Sequence, residues 1–137
     1  MLTTVVHTTA VVLMALVGLR LRGRLETRGL RLRHAVLIVI GMIGAVGLAL
    51  AVLHGIEYAI WAAAYLWIGA LDTPHDAMLY SIDSMTTRGA SGLMLQPHWR
   101  MMGALEAADG MLLFGISTAY IFAVMQGFWP LLTTHRR

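Results

Sequence analysis

The stretch from Asp72 to Gly92, DTPHDAMLYSIDSMTTRGASG, decides how the rest of the chain is read. It lies between two long apolar segments and is too polar to be a span itself. Asp72 or Thr73 before Pro74 is a helix-start signal. The spacing predicts one short helix, 74–85, followed by a run of small, turn-prone residues, 86–92. A short helix and an extended loop between two membrane spans is the plan of a re-entrant pore loop. Irregular backbone is tolerated at membrane depth only where it is packed in protein or lines a water-filled path.

Outside this stretch the composition is that of a membrane protein. Of 137 residues, 58% are hydrophobic and 12% charged, a size that suits one domain. No cysteine is present, which excludes disulfides and thiolate metal sites. The net charge of +3 comes from arginine alone. Arg20, Arg22, Arg24, Arg28, Arg31 and Arg33 crowd the segment between the first two apolar runs. That position fits a cytoplasmic loop obeying the positive-inside rule, not a nucleic-acid site. It also lets the segment lie against anionic lipid, although setting topology is sufficient reason for it.

Three spans are expected. The first, 1–19, has a polar outer half (Thr3, Thr4, His7, Thr8, Thr9), and the arginines that follow mark it as an anchor with its N-terminus outside. His7 reads as an interfacial residue. The basic linker is 20–34. The outer helix, 35–71, carries Gly41, Gly44 and Gly47 as a small-residue stripe, which allows close helix approach. At about 55 Å it exceeds the bilayer core, so it projects, tilts or breaks near Gly55. The inner helix is 103–129, with a cytoplasmic tail at 130–137. Glu106 and Asp109 on it should face protein or a water path. Gly110 and Gly115 weaken it locally and are candidate gating hinges, with close packing against the second span as the equal alternative. His54 and Glu57 share one helical face; a local hydrogen bond explains them better than a metal site. No nucleotide-binding, hydrolase or metalloprotease motif occurs, so no catalytic residue, bound metal or cofactor is assigned.

HGIEYAIWAAAYLWIGAL before the loop, MLYSIDSMTTRGASG within it and WRMMGALEAADGMLLFGISTAYIFAVMQ after it together resemble a known family. It is that of the bacterial two-transmembrane potassium-channel-like proteins with an extra N-terminal helix. The resemblance runs from about His34 to Gln126. It implies an all-α membrane fold, a homotetramer around a central pore in the inner membrane, lipid as the surrounding partner and potassium or another monovalent cation as the permeant ion.

The loop departs from that family. Where a potassium filter reads Thr-Val-Gly-Tyr-Gly-Asp, this chain reads Thr87, Arg88, Gly89, Ala90, Ser91, Gly92, preceded by Thr86. Only Thr87 and Gly89 match. Ser91 should resist the backbone conformation that glycine gives, at about 1–2 kcal/mol. Losing the aromatic ring removes packing that holds the filter's width. Arg88 brings one positive charge per subunit. Asp83, five residues earlier on the short helix, offers it a partner behind the filter, because two compensating charges are cheaper to bury than one. The competing arrangement puts Asp83 in an outer vestibule and Arg88 against Glu106 or Asp109. Two functions follow: an ion-channel pore subunit with weak potassium selectivity, or a non-conducting structural or regulatory subunit that keeps the frame.

Overall fold

A computed structural model of the chain describes residues 2–26, 32–89 and 91–133. Its regular structure among the described residues is all helical, with no strand. α1 (Leu2–Glu26), α2 (Leu32–Trp67) and α4 (Arg100–Thr133) are each long and apolar enough to cross a membrane. α3 (Pro74–Met85) is short, and a single 3-10 turn, Pro97–Trp99, leads into α4. The protein is therefore membrane-embedded, with three candidate spans.

Several boundaries differ from the sequence expectation: α2 ends at Trp67 instead of 71, and α4 runs Arg100–Thr133 instead of 103–129. α1 continues to Glu26 and α2 begins at Leu32, so most of the basic linker is helical. Gly23 leaves the helix intact, because one glycine costs only about 1 kcal/mol in a helix and its neighbours here are good helix formers. Arg28 and Arg31 of the arginine cluster lie outside the described residues, as do His135, Arg136 and Arg137. α2 runs unbroken through Gly55, where an added Cβ would meet nothing within 4 Å among the described residues. The long outer helix is thus one rod of 36 residues.

The end of α2 is set by its sequence. Gly69 takes a left-handed backbone (φ 66°). Its amide bonds the Leu66 carbonyl and the next amide, Ala70, bonds the Tyr65 carbonyl, at 3.1 and 2.9 Å. That is a Schellman cap, with glycine at the position where a Cβ is penalised. The chain then turns into α3, whose first turn is capped by Thr73. Its hydroxyl accepts the Asp76 amide at 3.0 Å, and Pro74 fills the first helical position, where no amide is needed.

Apolar packing falls into two clusters. At the α3 end, Ala62, Tyr65, Ala70, Ala77 and Leu95 are buried together with Tyr80, Trp99 and Met102 against them. Towards the other end, Leu50, Leu53 and Tyr120 pack with Val6, Ala10, Val11 and Met14 of α1. α3 fills the gap between α2 and α4 in the first cluster, and α1 lies along the same pair in the second. Most other large apolar side chains, such as Leu13, Leu37, Leu48 and Phe122, point outward. In lipid that exposure carries no hydrophobic penalty, so helix contact depends on close packing and polar bonds. A Cβ added at Gly41, Gly44 or Gly47 would meet nothing within 4 Å among the described residues.

Candidate functional site

α3 is fixed by what its buried face offers. Ala77, Ser81 and Met85 recur every fourth residue and are all buried. The Ser81 hydroxyl donates to Glu106 Oε1 at 2.5 Å and lies 3.0 Å from the Tyr58 carbonyl oxygen. Ser84 donates to the Gly103 carbonyl at 3.0 Å. Tyr65 donates to the other Glu106 oxygen at 2.6 Å, and its ring meets Tyr80 edge-on at 5.2 Å. Glu106 thus sits fully buried at the junction of α2, α3 and α4. The expectation that Glu106 and Asp109 face protein describes what is seen: Asp109 accepts from Thr3, from Thr4 at 2.9 Å and from the Trp61 indole at 3.2 Å.

Gly110 has a packing role. A Cβ there would stand 2.3 Å from the Met85 carbonyl oxygen and under 3 Å from two further backbone atoms. The C-terminus of α3 rests on α4 at a position where α4 has no side chain. The packing alternative for Gly110 therefore applies with α3 as the partner instead of the second span. Gly115 has open space around it, and α4 is continuous through both glycines.

The loop begins with a second Schellman cap. The Thr87 amide bonds the Ser84 carbonyl at 2.9 Å and the Arg88 amide bonds the Asp83 carbonyl at 3.0 Å. Thr87 occupies the position held by Gly69 in α2 and has a φ of 54°. A β-branched residue in this conformation is a true outlier. The strain expected at Ser91 falls at Thr87 instead, while left-handed backbone further along is taken by Gly89 and Gly92. The reason is local: helix termination, not the later filter positions, demands the left-handed residue.

Asp83 is buried and holds the loop from two directions. It accepts from the Arg88 guanidinium with one oxygen and from the Ser91 amide with the other. Burial raises its carboxyl, the guanidinium and the amide lower it, and the lowering prevails. Arg88 does not reach Glu106 or Asp109, whose partners are those given above. The Arg88 side chain is itself 56% exposed, so the pair is buried at the acidic end alone. Thr86, Thr87 and Gly89 are exposed, and Ala90 lies outside the described residues. A cavity of about 290 Å³ opens beside them, lined by Tyr80, Asp83, Ser84, Thr87, Gly89 and Ser91. At the opposite end of α3 the partly exposed Asp76 is held below the usual carboxylate range, first by the Thr73 hydroxyl and then by His75, and stays charged at the helix N-terminus.

A second polar cluster lies within the spans. His54 Nδ1 and Glu57 Oε2 are 2.8 Å apart, the local contact expected from their spacing. The cluster extends further than the sequence indicated. His7 Nδ1 meets Glu57 Oε1 at 2.8 Å, and Ser117 Oγ lies 3.1 Å from His54 Nε2 and 3.2 Å from His7 Nε2. His7 is completely buried and is not an interfacial residue: its partners sit 50 and 110 positions away. The one sequence signal was Thr3 and His7, four apart on a single face of an apolar helix.

Compared with known proteins, the chain matches no family model, no curated protein and no solved structure.

Proposed function

We propose that this chain is a pore subunit of the potassium-channel superfamily, assembled as a homotetramer in a bacterial inner membrane with its N-terminus outside and its C-terminus cytoplasmic. Supporting this reading above all is one observation: a short capped helix and a polar loop lie between two membrane-length helices, with the loop's Thr86, Thr87 and Gly89 exposed in the single chain. Exposed loop backbone is not stable against hydrocarbon, so it needs further protein or a water path. Four copies around an axis supply both. The carbonyl end of α3 then carries the negative end of its dipole towards the axis and favours a cation there. In this arrangement Thr86, Thr87, Arg88, Gly89, Ala90, Ser91 and Gly92 line the conduction path, and Asp83 supports them from behind.

Potassium selectivity is expected to be weak. Ordered carbonyl rings need a defined width, and the loop has neither the aromatic residue nor the second glycine of the family's filter. With Arg88 drawn back to Asp83, the path stays open to monovalent cations. The alternative, a non-conducting subunit with the same frame, rests on the exposure of Arg88. Four guanidinium groups turned to the axis would repel cations, because charge is poorly screened there.

Light scattering of the detergent-purified protein should give a tetramer; a stable monomer or dimer would refute the assembly. Liposome flux should show little preference for potassium over sodium in the wild type. Arg88→Val, Ala90→Tyr, Ser91→Gly and Gly92→Asp combined should raise that preference. Strong selectivity in the wild type would refute the weak-filter reading, and no flux in either protein favours the non-conducting subunit. Asp83→Ala, which frees Arg88, should cut cation flux at least about tenfold, since that corresponds to only about 1.4 kcal/mol of added barrier.

A further inference from the structure

We propose that His7, His54 and Glu57 form a binding site for a divalent transition-metal ion of the zinc class, which clasps α1 to the pair α2 and α4. This inference is independent of the pore reading.

The donor set is the first argument. Two imidazoles and a carboxylate, from two different helices, present ligand atoms that all lie within 4.8 Å of one another. His7 and Glu57 have no solvent exposure and His54 has 6%. Two histidines and a glutamate are a known tetrahedral zinc set that leaves a fourth position for water. Imidazole nitrogen suits zinc and its neighbours better than it suits magnesium or calcium.

The second argument is a count of protons. The cluster has four close contacts: Glu57 to each Nδ1, and Ser117 to each Nε2. Each contact needs one hydrogen between its two heavy atoms. A carboxylate, two neutral imidazoles and one hydroxyl bring three. One contact must therefore set lone pair against lone pair unless a further cation enters. A burial this complete makes that costly.

A metal ion resolves the count without strain in the protonation pattern. Each histidine takes the tautomer with its proton on Nε2, and both Nε2–H groups donate to the two lone pairs of Ser117 Oγ. Both Nδ1 lone pairs then face the Glu57 carboxylate, and the ion lies between them. Bonds of about 2.0–2.2 Å to nitrogen and oxygen at tetrahedral angles put ligand atoms on one ion about 3.3–3.6 Å apart. The 2.8 Å contacts must open by about 0.5–0.8 Å, while the whole donor set already lies within 4.8 Å. Ser117 serves as the outer partner that fixes both rings, the arrangement usual for metal-bound histidine. On binding, the neutral ring moves its proton from Nδ1 to Nε2, the doubly protonated ring loses its Nδ1 proton, and the ion thus takes the place of the one extra proton that the empty cluster requires.

The experiment uses the full-length protein with any purification tag removed, stripped by chelator, dialysed against Zn2+ or Co2+ and assayed by elemental mass spectrometry. The wild type should hold about one ion per chain. His7→Asn with His54→Asn should weaken binding by at least about tenfold, while His98→Asn, at an exposed site, should bind like the wild type. If the wild type retains no more ion than the double variant, the proposal is overturned and the cluster holds a proton alone. Should the double variant fail to fold, the wild type decides the matter by itself. Excess Zn2+ must then raise its thermal midpoint relative to chelator, and an unchanged midpoint overturns the proposal equally.

Discussion

The two polar regions of this protein are built on opposite terms. Within the frame, polar groups are buried and paired inside one chain: Glu106 with Tyr65 and Ser81, and Glu57 with His7 and His54. Among the described residues, no buried side-chain nitrogen or oxygen is without a partner. Where α3 gives way to the loop, Asp83 is buried at the helix end but Thr86, Thr87, Arg88 and Gly89 after it are exposed. The frame is thus complete in a single chain, whereas the loop is complete only when something else covers or hydrates it. Polar groups in a membrane segment mean two different things here: internal bolts in one region, and in the other a surface awaiting neighbours or water.

The most severe test of this contrast is Glu57→Ala. It removes one residue of the frame but strips partners from two buried histidines on two helices. Orphaned buried donors cost about 1–3 kcal/mol each, so the expected loss for the two is about 2–6 kcal/mol. It should appear as a large drop in the thermal midpoint of the detergent-purified protein. A drop no larger than that of an exposed substitution would show that the frame is not held by its polar groups.

A smaller effect separates two glycines that look alike in sequence. Gly110→Ala places a methyl group against the Met85 backbone, which can yield only by moving α3. Overpacking costs about 1–3 kcal/mol, and the loop that follows Met85 should be displaced with it. Gly115→Ala meets open space and should gain up to about 1 kcal/mol in helix propensity. If Gly115→Ala alters ion flux while leaving stability raised, its glycine acts as a hinge. Equal behaviour of the two variants would break the assignment of Gly110 to the α3 contact.

The smallest expected change lies within the loop. Thr87→Gly should relieve the left-handed threonine and stabilise the cap by about 1 kcal/mol. The same substitution in the equivalent cap of α2 has in effect already been made, because Gly69 stands there. No gain in thermal midpoint would mean that Thr87 earns its strained place through a contact in the assembly, and the frame and loop would then be coupled.

Much of the architecture was legible because it rests on local or one-dimensional signals. Span lengths follow from apolar runs, and the 74–85 helix follows from Thr73, Pro74 and the turn residues after Met85. The His54–Glu57 contact follows from a three-residue spacing. Charge compensation suggested Asp83 for Arg88, since both lie within five residues of one helix end. What the sequence could not supply is which faces of α1, α2 and α4 meet. No periodic pattern links His7 to Glu57 or to Ser117, and an apolar helix in lipid advertises no buried face, because lipid-facing and protein-facing side chains are chemically alike. Gly110 shows the same limit. Its role depends on the backbone of Met85 arriving at one point of α4, and only the tertiary structure decides where two helices touch.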